Sequence, residues 1–134
     1  MLRLAAERNS LSVIADQYGA PTSAALIADI TAQIVGQYQK QDRAEFPFGT
    51  YNLVAGGITT WHQYAQTVIQ AAHAAGKQLK LEPEAILPTT TADYPLPAPR
   101  PANSSLSTRK LCNNFGLHLP DWRSGLQHVL QQIL

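Results

Sequence analysis

The chain has 134 residues, 45% of them apolar and 14% charged, and a formal net charge of +1 at pH 7. This length fits one domain with a real core, and this composition excludes a disordered chain. A net charge near zero provides no long-range field for nucleic acid or an anionic membrane surface, and no apolar run approaches the length of a membrane span.

The first ten residues, MLRLAAERNS, lack the long apolar core of a signal peptide. They read as a helix that starts at residue 1 without a cap and ends near Asn9, a start expected of a cut inside a longer protein. LSVIA, residues 11–15, reads as a strand, followed by the polar loop DQYGAPT, residues 16–22. Thr22 is the expected N-cap of a helix whose apolar face is Leu26, Ile27, Ile30, Ile34 and Val35. GTYNLVA, residues 49–55, reads as a second strand, closed by a turn at Gly56-Gly57.

Thr60 and Gln63 fit a capping box. The helix they open has a predicted buried stripe of Trp61, Ala65, Val68, Ile69 and Ala72, and Gly76 closes it. EAILPTT, residues 84–90, reads as a third short strand, and residues 93–105 are too rich in proline for a helix or a central strand. Ser107 is the expected cap of the next helix, with Leu106 and Leu111 as its hydrophobic staple and Gly116 as its end. Asp121 caps the last helix, whose apolar face is Trp122, Leu126, Val129, Leu130 and Ile133. Strands alternating with helices over short connections predict an α/β layer structure around a small sheet.

Reactive constellations are scarce. No Gly-x-Gly-x-x-Gly, Gly-x-x-x-x-Gly-Lys or Gly-x-Ser-x-Gly motif occurs. His62, His73, His118 and His128 lack metal-ligand spacing, and three of them fall at helical positions that read as solvent-facing. Cys112, the single cysteine, excludes an internal disulfide, fits a reducing cytoplasm, and reads as a small buried hydrophobe.

Two loops carry potential chemistry. DQYGAPT lies between a strand and a helix, where α/β proteins place ligand loops, although an Asp-started turn with Pro setting the helix entry has the same pattern. PRPANSSLSTRK, residues 99–110, holds Arg100 between two prolines, followed by Asn103, Ser104 and Ser105. A guanidinium on a stiff backbone suits phosphate, and a rigid linker with a solvated arginine is the plain alternative.

Taken together, Asp16-Gln17, Gly19 and Pro21-Thr22, then Tyr51, Leu53, Gly57 and Trp61, then Arg100-Pro101, Asn103-Ser104 and Leu106 resemble, in order and spacing, the C-terminal half of the dTDP-4-dehydrorhamnose reductases. These belong to the extended short-chain dehydrogenases. The resemblance covers nearly the whole chain. It implies an α/β fold, a small mixed sheet with flanking helices, that forms the substrate-binding lobe over residues 1–134.

The implied activity is NADPH-dependent reduction of dTDP-4-dehydro-L-rhamnose to dTDP-L-rhamnose in the cytoplasm. The cofactor and the Tyr-x-x-x-Lys pair would lie in an N-terminal Rossmann half absent from this chain. None of the five tyrosines here has a lysine four positions on. Substrate-binding residues by resemblance are Arg100, on the diphosphate, with Asn103, Ser104, Gln17, Pro21 and Thr22. No catalytic, cofactor or metal residue is carried over, since Ala24-Ala25 stand where some relatives carry an acidic residue for a magnesium-bridged dimer. Partners implied are the dTDP-sugar and the missing half, with self-association expected through Leu2 and Leu4 or a strand edge, and with no nucleic acid or membrane. The alternatives are a regulatory homologue of the methionine adenosyltransferase β-subunit type and a ligand-free interaction domain.

Overall fold

The strand read at 11–15 forms as β1 (Leu11–Ile14), because its apolar side chains find a layer of helices to cover them. The computed structural model describes residues 1–94 and 97–134, so Pro95 and Leu96 of the proline-rich stretch lie outside the described residues. β1 is preceded by α1 (Leu2–Glu7) and followed by β2 (Tyr18–Gly19) and α2 (Ala24–Tyr38). Then come β3 (Thr59–Thr60), α3 (Trp61–Ala74), a 3-10 turn at Pro83–Ala85, β4 (Ile86–Thr89), α4 (Arg109–Phe115) and α5 (Trp122–Ile133).

β1 pairs with β4 in parallel, Leu11 opposite Ile86 and Ile14 opposite Thr89. A parallel pair needs a long crossover, and everything from β2 to the 3-10 turn supplies it. β2 pairs with β3 antiparallel, Tyr18 opposite Thr60. The β structure is therefore two short two-stranded sheets with helices around them.

Two apolar clusters hold these layers together. In the first, Ala65, Val68 and Ile69 of α3 meet Trp122, Leu126 and Leu130 of α5, Ile86 of β4 and Leu81. α1 joins this cluster: Ala5 is wholly buried, its carbonyl accepts from the Lys80 and Leu81 amides at 3.0 and 3.1 Å, and Leu2 packs alongside. The second cluster joins Ile30 of α2 to Leu111 and Phe115 of α4 and to Leu119, with Tyr51 and Leu53 against it.

Several local expectations change. Ser23 caps α2, its hydroxyl accepting from the Leu26 amide at 3.2 Å. The Thr22 hydroxyl instead donates to the Ala20 carbonyl and accepts from the Ala55 amide, so it ties two loops together. Residues 49–55 are extended but form no strand. Their backbone is partnered in part by side chains, with Lys110 Nζ donating to the Thr50 carbonyl at 3.0 Å. The neighbouring Gly56 bridges to Asp121. α4 starts after Thr108 rather than Ser107, and Leu106 stays 50% exposed, so no staple forms.

α1 ends at Glu7, two residues before Asn9, with Arg8 extended, and Asn9 is not left-handed, since among the described residues only glycines have positive φ. Ile27, Val35 and Ile133, expected on apolar faces, lie half-exposed. His62 and His73 turn inward, each ring Nε2 within 3.0 Å of a carbonyl, of Ile86 and Leu81 respectively. Cys112 is half-buried against the second cluster. Among the described residues no helix is long and apolar enough to cross a membrane.

Candidate functional site

Asp16 begins the site. Its carboxylate accepts from the Thr91 amide at 3.0 Å and from the Thr91 hydroxyl at 2.7 Å. These donors, the amide first and then the hydroxyl, favour the charged form and lower its pKa below the usual carboxylate value against a smaller opposing effect of desolvation. Gln17, 5% exposed, donates its side-chain amide to the same Thr91 hydroxyl at 3.2 Å. The loop after β1 is thereby fixed to the loop after β4.

β2 is short because it only has to carry the chain between two partners. One edge pairs with β3. On the other, the Tyr18 amide donates to the Ala102 carbonyl at 2.8 Å, and the Ser104 amide and hydroxyl donate back to the Tyr18 carbonyl at 2.9 and 3.0 Å. A Cβ on Gly19 would stand 2.8 Å from the Ser104 hydroxyl, so glycine there permits the close approach of the arginine loop. Two loops separated by some eighty residues are joined edge to edge around Tyr18.

Between them lies a cavity of about 260 Å³. Its walls are residues 17–21 on one side, Thr59, Thr60, Trp61 and Tyr64 on the second, and Arg100, Pro101 and Ser104 on the third. Arg100 is exposed, has no ion-pair partner among the described residues, and is the one charged residue lining the cavity. A guanidinium in that position suits an anion with paired oxygens. No group of three His, Cys, Asp or Glu among the described residues could hold a metal.

Of the six residues singled out from sequence, Gln17, Pro21, Arg100 and Ser104 line this cavity. Thr22 and Asn103 do not. Thr22 ties the loop to Ala55, and Asn103 accepts from the Ser105 amide at 2.9 Å, which shapes the arginine loop from behind. Tyr18, Thr59 and Thr60 are not legible as site residues in the sequence, because a two-residue strand gives no periodicity to read, and Tyr64, inside α3, belongs to no motif that points to the cavity. Trp61 is a correction: expected in the buried stripe of α3, it is 51% exposed and forms part of the cavity wall. It is the first residue of α3, directly after the Thr60 cap, so its side chain has no preceding turn of its own helix to lie against.

The family model described as RmlD substrate binding domain matches residues 1–134. A dTDP-4-dehydrorhamnose reductase of Escherichia coli is 49% identical over 99% of this chain, and one of Shigella flexneri 48% identical over 99%. The chain spans only 42% and 43% of those two relatives. Among solved structures, dTDP-4-dehydrorhamnose reductase from Bacillus anthracis str. Ames, in complex with NADP, superposes with a TM-score of 0.76 at 26% identity. That match covers 97% of this chain and 41% of the other. The α/β fold with a small sheet and flanking helices is the fold of these reductases.

Proposed function

The chain belongs to the RmlD substrate binding domain family, and from that premise we propose that residues 1–134 are the nucleotide-sugar-binding part of an NADPH-dependent dTDP-4-dehydrorhamnose reductase. The parent activity is reduction of dTDP-4-dehydro-L-rhamnose to dTDP-L-rhamnose, a donor for cell-surface polysaccharide, in a cytoplasm that suits the unpaired Cys112. One observation carries the reading. The loop with Gln17 and Pro21 and the loop with Arg100 and Ser104, distant in sequence, line one cavity whose single charge is a guanidinium.

Within that cavity Arg100 forks onto the diphosphate, and Gln17 and Ser104 give it polar neighbours. Thr22 and Asn103 act from behind, by holding the two loops in place. Binding the unreactive nucleotide end orients the reacting sugar carbon, which is how this part contributes to rate. A nicotinamide dinucleotide supplies hydride in such a reduction, and the residues here do not fit one. The loop from β1 to α2 contains one glycine, Gly19, and that glycine is closed over by Ser104. Cofactor and proton donor therefore belong to an N-terminal Rossmann part, consistent with the share of the relatives that this chain spans.

The relatives above carry the reductase name, which favours the enzyme over the regulatory-subunit alternative. Calorimetry of the chain with dTDP tests the reading. Saturable binding is expected. Absence of binding at millimolar dTDP overturns it in favour of a ligand-free interaction domain.

A further inference from the structure

Two polar side chains of the cavity wall are buried, Gln17 at 5% exposure and Thr59 at 4%. Thr59 donates its hydroxyl proton to Gln63 Oε1 at 2.9 Å, which settles it inside the wall. Gln17 instead reaches away from the cavity to the loop after β4, where its Nε2 lies 3.2 Å from the Thr91 hydroxyl oxygen. Which end of this amide faces Thr91 follows from counting protons. A threonine hydroxyl has one to give, and this one goes to the Asp16 carboxylate at 2.7 Å, a charge-assisted bond. The Thr91 amide also donates to Asp16, and the two donors together hold that carboxyl in its charged form. Asp16 therefore only accepts, and the Thr91 oxygen is left only to accept as well.

An amide turned the other way would press Gln17 Oε1 against the Thr91 oxygen with no proton between them, a buried acceptor facing an acceptor. Nε2 is thus fixed toward Thr91 and Oε1 away from it. Among the described residues nothing donates to Oε1, and the one buried side-chain atom left without a partner is Trp122 Nε1, so Oε1 is open to the cavity that Gln17 lines. We propose that Thr91, its single proton committed to Asp16, is a positioning residue that sets the polarity of the cavity wall by holding the Gln17 amide with its oxygen inward; this rests on the nucleotide-sugar reading of the cavity. An inward oxygen selects a ligand group that donates, a hydroxyl or a ring N–H. Phosphate oxygens, which only accept, are left to Arg100.

NMR of the chain with nitrogen-15 glutamine and calorimetry with dTDP-L-rhamnose test the proposal. In the unmodified chain one Gln17 side-chain amide proton is expected to exchange slowly with water, in Thr91→Ser still to do so, and in Thr91→Val to exchange freely. Thr91→Val is expected to weaken dTDP-L-rhamnose about 2- to 12-fold, and Thr91→Ser to stay within about twofold of the unmodified chain. In a Gln17→Met background, where no amide remains to orient, Thr91→Val should add a loss of less than about twofold. Free dTDP locates the donor: a loss shared by dTDP puts it in the nucleoside, a loss confined to dTDP-L-rhamnose puts it in the sugar, and either supports the proposal. Equal affinity of Thr91→Val and the unmodified chain overturns it and leaves the nucleotide-sugar reading standing. So does an equal loss with Gln17 or Met at position 17, which would make Thr91 a structural residue only, and a freely exchanging Gln17 amide in the unmodified chain does so without any variant. Failure of the unmodified chain to bind either ligand overturns the nucleotide-sugar reading and the proposal with it.

Discussion

Arg100 lies between Pro99 and Pro101, and proline on both sides restricts the backbone before any ligand arrives. Little further order is lost when the guanidinium binds. Hydrogen bonds to charged groups contribute about 1.5–3 kcal/mol net, so Arg100→Ala is expected to weaken dTDP about 10- to 150-fold by calorimetry. Arg109, at the start of α4 and outside the cavity lining, should change affinity by less than a factor of about two when replaced by alanine. Asp16 offers a second prediction, on stability. Its folded pKa is held below the unfolded value by the Thr91 amide and hydroxyl, so its contribution is fully present above the unfolded value near 3.8 and is lost as pH falls through the depressed folded value. Thermal unfolding should therefore show Asp16→Asn less stable than the unmodified chain at pH 7, with the gap closing in acid; a gap that widens below pH 4 would contradict the assignment. At this scale the sequence was readable where a motif marks a loop, as at Gln17, Pro21, Arg100 and Ser104. It was not readable for Trp61, because the same 3.6-residue spacing that places Ala65 and Val68 in the core also places the first residue of the helix on that stripe, where no preceding turn covers it.

Caps and glycines decide where the elements stop, and two glycines allow a clean comparison. Gly57 and Gly76 both adopt left-handed backbone, φ 80° and 77°. A Cβ at Gly76 meets nothing within 4 Å, whereas at Gly57 it would run into the Asp121 carboxylate and lie 3.0 Å from the Trp122 ring. Gly76→Ala should therefore cost about 1–2 kcal/mol, the left-handed penalty alone. Gly57→Ala should cost more, since Asp121 also caps α5 by accepting from the Arg123 amide at 2.9 Å and a displaced cap adds about 0.5–2 kcal/mol. Denaturant unfolding of the two variants measures the difference, and equal losses would mean that Asp121 yields freely. The same neighbourhood explains why residues 49–55 looked like a strand. Tyr51, Leu53 and Ala55 alternate toward the interior, as a half-buried strand would. Their backbone, however, is met by the side chains of Thr22 and Lys110, and no local pattern reveals that a polar side chain from elsewhere replaces a neighbouring strand. The cap at Ser23 rather than Thr22 has a similar cause, since both residues cap well in isolation and only the pull of Ala55 on Thr22 separates them.

The two apolar clusters divide the molecule by task. The first, under β1, β4, α3 and α5, contains Trp122 and supports the aromatic wall of the cavity. The second, under α2 and α4, supports the elements that follow the two cavity-lining loops. Leu26 packs against both, so the loops are held by a continuous interior rather than by two independent ones. The alternation of strands and helices was legible because each helix must cover a sheet face. The edge-to-edge meeting of Tyr18 with residues 102–104 was not, since it depends on backbone pairing across most of the chain. The proposed role of this assembly, binding the nucleotide end of the substrate, leads to a prediction for the whole molecule. None of the cavity-lining residues is a lysine, histidine, aspartate or glutamate, so no lining group is ready to hand a proton to a developing alkoxide at neutral pH with the help of a lysine. The strand-to-helix loops offer no glycine-rich turn for a dinucleotide. Incubated with NADPH and dTDP-4-dehydrorhamnose, the chain of residues 1–134 should leave the absorbance of the reduced nicotinamide at its background rate of decay, while calorimetry on the same preparation registers dTDP. The pairing of measurements matters, because silence in the assay has meaning only for a preparation whose cavity is shown to be formed. Protein-dependent oxidation of NADPH above background, lost in Arg100→Ala, would place the complete reductase within these 134 residues and overturn the division of labour argued from the cavity.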